Sequence, residues 1–175
     1  HDYIFDWGSL SPKTEKEYIH SMVQAALPGY DPLEHKLITS LISISQDLVR
    51  EVEADVSSVS LRDVKRCLHI LRWFLNRATQ RQKDGKAFKA GGRSPLALCT
   101  PVALAHVYCY RLADANDRAR LWENLQWQAD WRKSLGPLGW KGLDTSGAME
   151  KIVLQTQQSF CRHVVVEEGI AMNND

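Results

Sequence analysis

Arg62 and Arg66 stand one helical turn apart at the head of an amphipathic segment, where the sequence comes nearest to a binding site. Ser60-Leu61-Arg62-Asp63 reads as a helix start, with Ser60 as N-cap and Asp63 at capping-box spacing. Arg62 then occupies the second helical position. That end of a helix carries partial positive charge, and a cation there is disfavoured by a few tenths to about 1 kcal/mol. Two guanidinium groups beside free backbone N–H groups make an anion-seeking surface. The plain alternative is that Asp63 neutralises Arg62 and both arginines are solvated. For Arg66 the carboxylates at hand are Asp63 and Asp55.

Other chemistry has little to stand on. The chain has no G-x-x-x-x-G-K-[ST] phosphate loop, no G-x-S-x-G elbow, no H-E-x-x-H and no dinucleotide fingerprint. Its carboxylates are scattered over helix starts and polar faces, so no glycosidase-type pair can be argued. The four cysteines, Cys67, Cys99, Cys109 and Cys161, form no C-x-x-C pair. The nearest approach to a metal cluster is His106-x-x-Cys109, and two ligands do not close a tetrahedral site. Free thiols in a reducing compartment are the expectation, with no metal.

The elements that must position the two arginines follow from hydrophobic periodicity, which is helical almost throughout. Ser11-Pro12 opens a first helix, with Tyr18, Ile19, Met22, Val23 and Ala26 at helical spacing and Pro28-Gly29 as its stop. Asp31-Pro32-Leu33-Glu34 opens a second. Its apolar residues, from Leu33 through Ile44 to Val49, are spread widely enough to predict burial on more than one side. In the third, Leu61, Val64, Cys67, Leu68, Leu71, Phe74 and Leu75 form one stripe. Arg62, Arg66, His69 and Trp73 share the opposite face. Residues Arg77 to Arg93 read as a glycine-containing basic loop, solvated or touching a phosphate backbone, with six cations against Asp84. A fourth helix runs from Pro95 to about Leu112, with a bend at Pro101. A fifth runs from about Asp117 to Trp131, and a last from Ser146 to about His163. Tyr3-Ile4-Phe5 and Val164-Val165-Val166 are the strand candidates. Trp73, Phe74, Trp122, Trp127, Trp131 and Trp140 read as packing residues.

Composition agrees with an all-α domain of ordinary size. The chain has 175 residues, with 44% hydrophobic and 25% charged, which excludes disorder, collagen-like repeats and a coiled-coil rod. Lys plus Arg is 22 and Asp plus Glu is 21. A protein binding nucleic acid or membranes by bulk charge is more basic than this. The longest uncharged run, Ser94 to Tyr110, is seventeen residues. It holds two prolines and His106, and reads as a buried helix rather than a membrane span. The N-terminus lacks a signal-peptide pattern. Because it begins at His1, the chain is expected to be a piece of something longer.

Several segments, in order, resemble one family. Val59-Ser60-Leu61-Arg62-Asp63-Val64-Lys65-Arg66 followed by Leu71-Arg72-Trp73-Phe74 resembles the S-L-R-D-V-x-R…W-F segment of mysterin-type proteins. These are giant RING ubiquitin ligases with a dynein-like AAA+ core. Tyr3 to Leu10, with Glu15 to Ile19 after it, looks like the entry to the same region, although the family more often has Phe where Trp7 stands. Ile44-Ser45-Gln46-Asp47 resembles the family's S-x-S-Q segment, and Ala103 to Arg111 resembles its next helix. Gly169-Ile170-Ala171-Met172-Asn173 resembles a G-I-A-R-N stretch, with Met172 in place of the basic residue. The likeness is weakest from Arg77 to Gly92 and from Arg132 to Met149.

The resemblance implies a helical bundle like the small, or lid, subdomain of one AAA+ module. Residues 1–131 would form the lid-like subdomain, and residues 132–175 a connecting helix and tail leading toward a next module. It implies ATP and Mg in the parent protein, with neither bound by this chain alone, and a cytoplasmic setting. The implied partners are AAA+ large subdomains of the same parent and, through the parent, a ubiquitin-conjugating enzyme. No nucleic acid and no transmembrane segment are expected. Arg62 would correspond to the lid's nucleotide-sensing arginine, with Arg66 as second candidate. The chain itself would not be catalytic. Two other readings stay open: a helical protein–protein interaction module without a nucleotide role, reading a peptide in a groove, and a small nucleic-acid-binding domain using the basic loop.

Overall fold

The computed structural model describes residues 10–83, 95–127 and 153–154. All regular structure among them is helical: α1 (Pro12–Ala26), α2 (Pro32–Glu53), α3 (Leu61–Lys83), α4 (Pro95–Leu104), a π-helical turn (Ala105–Cys109) and α5 (Ala115–Trp127). The two strand candidates, the helix expected over Ser146–His163 and the 131/132 boundary lie outside the described residues, apart from Val153 and Leu154, which are helical.

Local chemistry sets the helix starts. The Ser11 hydroxyl accepts from Thr14 N at 3.2 Å. Asp31 accepts from Leu33 N at 2.7 Å, and Glu34 returns the contact by accepting from Asp31 N at 2.9 Å, closing the capping box. After α1 the chain turns through Gly29 at φ +89°, a conformation that a side chain disfavours. The α2 C-cap, Ala54, is left-handed too, at φ 50°.

Packing then follows from the stripes. α1 and α2 pack on each other, α1 also meets α3, α4 lies mainly on α3, and α5 lies on α2. α2 is buried around much of its girth, from His35 to Val49, as its wide apolar spread predicts. Leu33 is the exception, 64% exposed in the first turn. α1 buries Ile19 and Val23 and rests Met22 and Ala26 on the core, but Tyr18 points outward. Leu41, Ile42, Leu71, Leu96, Leu104, Tyr108, Leu121 and Leu125 are fully buried, each large apolar group being worth roughly 1.5–3 kcal/mol.

Two elements differ from the sequence reading. α3 continues to Lys83 where a loop from Arg77 was expected. Ala78 still belongs to the core, the Arg77 guanidinium lies 5.7 Å from the Trp73 ring one turn back, and the Thr79 hydroxyl donates to Leu75 O at 2.9 Å. Arg and Gln are good helix formers, so a buried contact on this turn is enough to extend it. The uncharged run is indeed a core helix, with every residue from Leu96 to Leu104 buried. It passes through Pro101 and changes gauge four residues later, where Tyr110 N donates to Ala105 O at 2.8 Å, the i→i+5 bond of a π turn. No described helix is long and apolar enough to cross a membrane.

Candidate functional site: the head of the third helix

The expected capping box at Ser60 forms. Asp63 accepts from Ser60 N at 2.9 Å and from the Ser60 hydroxyl at 3.3 Å, while Ser60 Oγ accepts from Arg62 N at 3.3 Å. The Asp63 carboxylate is thereby committed to the cap. Arg62, at the second helical position, and Arg66, one turn on, are both exposed. Neither makes a side-chain hydrogen bond or ion pair among the described residues. His69 and Trp73 share the exposed side with them, Trp73 being 46% exposed. The packing reading of Trp73 is therefore corrected: it stands at the surface, edge-on to buried Phe74. Trp122 is buried as expected. The side chain of Trp127, and Trp131 and Trp140, lie outside the description.

A polar scaffold stands behind this helix start. Arg50 of α2 grips Glu15 of α1 through two hydrogen bonds, 2.9 and 2.6 Å. The same guanidinium donates to Val56 O at 3.1 Å and Val59 O at 3.2 Å, and so holds the turn between α2 and α3. Gln46, one turn before Arg50, donates its amide to Ser60 O at 3.1 Å. Within the turn, Asp55 accepts from Ser57 N and Oγ at 2.8 and 2.7 Å. These bonds hold the Asp55 carboxyl below its ordinary range and leave it engaged away from Arg66. The hydrogen bonds that Arg50 donates to the Glu15 carboxylate stabilise its charged form and raise its pKa.

The π turn brings two further groups to this neighbourhood. Tyr108 is fully buried, and its hydroxyl has no hydrogen-bond partner among the described residues. Burial first, with the nearby acidic groups Cys67 and Asp63 adding to it, pushes its pKa well above the ordinary value. His106 is exposed and stacks edge-on against Tyr110 at 5.7 Å. Partial burial first, and then the Arg66 charge, hold its imidazole below the ordinary 6.5.

His106 and Cys109, paired in sequence by spacing, have different surroundings, since Cys109 is buried. Among the described residues no group of three or more His, Cys, Asp or Glu side chains could hold a metal. Cys67, Cys99 and Cys109 are buried free thiols, and burial pushes Cys67 and Cys99 up to about 12, which suppresses the reactive thiolate. Cys161 and most of the basic stretch beyond Lys83 lie outside the described residues.

Sequence reading placed Arg62 and Arg66 and missed the scaffold. The available signal was a pair of long polar side chains, Gln46 and Arg50, one turn apart on a helix whose apolar residues spread around much of its girth. Such groups are retained in a core when they are hydrogen-bonded. No sequence signal marked Tyr108 or the π turn.

No family model and no solved structure matches the chain. Among curated proteins it is 27% identical over 180 residues to the E3 ubiquitin-protein ligase RNF213 of Homo sapiens, covering 97% of this chain. The same protein of Mus musculus matches equally. E3 ubiquitin-protein ligase rnf213-beta of Danio rerio is 37% identical over 75 residues, or 42% of this chain. The chain spans about 3% of the length of the first two relatives and 2% of the third. Along almost its whole length, then, this helical chain is similar to one short stretch of the RNF213 E3 ubiquitin-protein ligases, and the mysterin-type resemblance carried by its motifs holds.

Proposed function

We propose that the chain is the helical lid of one AAA+ module in a ubiquitin-ligase parent, and that Arg62 reports the state of a nucleotide held by a large subdomain outside this chain. In this reading, residues 1–131 form the lid and residues 132–175 lead toward the next module. The parent works in the cytoplasm with a ubiquitin-conjugating enzyme. This chain is not itself catalytic.

The observation that supports this reading most is the state of Arg62. Its guanidinium is exposed and without an ion pair among the described residues. Its helix start, by contrast, is fixed by Ser60, Asp63, Gln46 and Arg50. A cation kept at the positive end of a helix with its nearest carboxylate committed elsewhere suits an anionic ligand. The donor set fits the phosphates of ATP: two permanently charged, planar groups one turn apart at a helix N-terminus. Bound with Mg, ATP supplies a phosphoanhydride whose cleavage changes the charge facing these side chains. Arg62, with Arg66 as the second cation, binds and orients the terminal phosphates. The cap holds the Arg62 backbone N and occupies the Asp63 carboxylate, which leaves the Arg62 side chain to the ligand. Lid angle then follows nucleotide state, a hinge-type switch.

The test is Arg62→Ala in the full-length parent, with ATP affinity and turnover measured alongside Arg66→Ala. A fall in turnover or affinity of ten-fold or more at Arg62, larger than at Arg66, is expected. Unchanged affinity and turnover in Arg62→Ala overturn the reading. The isolated chain is expected to bind no ATP in a calorimetric titration.

A further inference from the structure

We propose that the solvent face of α3 beyond its first turn docks an acidic protein face supplied by parts of the parent outside these 175 residues. The inference rests on the lid reading above and names a partner for the same helix.

Charge in this chain is segregated. α3 carries seven Lys and Arg residues against Asp63, although the whole chain holds 22 basic and 21 acidic residues. Outside α3, acids therefore outnumber bases. Lys65, Arg66, His69 and Arg72 are all exposed along the helix. Lys65 and Arg72 lie seven positions apart, a ridge about 10 Å long at roughly 1.5 Å per residue. Like charges at i,i+3 and i,i+4, as in Arg62–Lys65 and Arg62–Arg66, weaken a helix.

The rest of the fold disposes of its arginines differently. Arg50 is paired with Glu15, Arg111 with Glu53 and Arg120 with Glu51, at 2.6–2.7 Å. Arg62, Lys65, Arg66 and Arg72 have no such carboxylate among the described residues, and Asp63 is spent on the cap. A helix that collects mutually repelling cations, in a chain that pairs Arg50, Arg111 and Arg120 with carboxylates and Arg118 with backbone carbonyls, presents them to something external.

An acidic protein face fits better than other anions. A long nucleic acid laid along α3 would run on past the other described residues, where acids predominate and would repel it. A membrane surface would call for exposed aliphatic residues on the same face; here the uncharged neighbour is Trp73, with Arg77 5.7 Å from its ring. Trp and Arg are the side chains most enriched where proteins meet. The parent is the source because this chain spans only about 3% of the length of its first relatives, and a short helical unit inside such a chain is surrounded by other parts of it.

The experiment is zero-length carbodiimide cross-linking of the full-length parent, read by peptide mass spectrometry. Lys65 is expected to form an amide with an Asp or Glu outside residues 1–175, in at least five-fold greater yield than exposed Lys13 of α1. Raising the salt, or substituting Arg72→Glu, is expected to cut that yield at least five-fold. Lys65 cross-linking no better than Lys13, or only within these 175 residues, overturns the proposal. So does protection of Lys65 from acylation that nuclease treatment removes. If Arg62→Ala leaves turnover unchanged while the Lys65 cross-link persists, nucleotide sensing fails and docking stands. If turnover falls but the cross-link is absent, docking alone fails.

Discussion

Arg50 and Glu15 form a two-point ion pair that joins α2 to α1, and the same guanidinium carries the backbone turn leading into α3. The two side chains are only 19% and 16% exposed, so water screens the pair poorly. Arg50→Ala would leave Glu15 half-buried without its partner and free two backbone carbonyls. Removing one member of a fully buried pair costs roughly 3–5 kcal/mol; for this partly exposed pair a loss of about 2–3 kcal/mol is expected in urea unfolding. A loss below about 0.5 kcal/mol would show that the turn is held without Arg50.

Ala54 offers a gain. It ends α2 at φ 50°, where a Cβ meets the following carbonyl and costs roughly 1 kcal/mol or more. Glycine takes this conformation freely and is the usual residue at such a helix end. Ala54→Gly is expected to raise the unfolding free energy by about 0.5–1 kcal/mol and the melting temperature by a few degrees. A drop in thermal midpoint would contradict the left-handed cap.

His106 gives the fold a pH dependence of definite sign. Its folded pKa lies below the ordinary 6.5, through burial first and the Arg66 charge second. As pH falls, the unfolded chain takes up this proton before the folded one does. The stability His106 contributes is therefore intact above pH 6.5, and it is lost as pH falls from there through the lower folded value. Unfolding free energies from pH 8 to pH 5 are expected to decline less steeply in His106→Gln than in the unaltered chain. Arg66→Gln is expected to recover the smaller part of the difference, because burial is the larger cause. Identical slopes in all three proteins would remove His106 from the account.

The fold class and the first three helix starts were legible because they depend on short-range chemistry. A cap residue followed by proline or an acid three positions on, and a stripe at helical spacing, are local patterns. The structure bears them out at Ser11, Asp31 and Ser60. Limits set by distant contacts were not legible. α3 outruns its apparent end because Ala78 finds the core, which no charge count along Arg77–Arg93 reveals. Tyr18 and Leu33 fit a helical stripe and nevertheless face solvent, because a stripe is wider than the surface its neighbours cover.

The head of α3 divides in the same way. The residues around it alone determined that Arg62 falls at the second helical position, with Arg66 on the same side, since 3.6 residues per turn fix both. Only the tertiary structure decided that Asp63 serves Ser60 rather than either arginine, and that Glu15, Gln46 and Arg50 secure the turn before it. Those bonds span from 3 to 35 positions along the chain. A carboxylate's choice among several donors depends on where packing brings them, which the order of residues does not state.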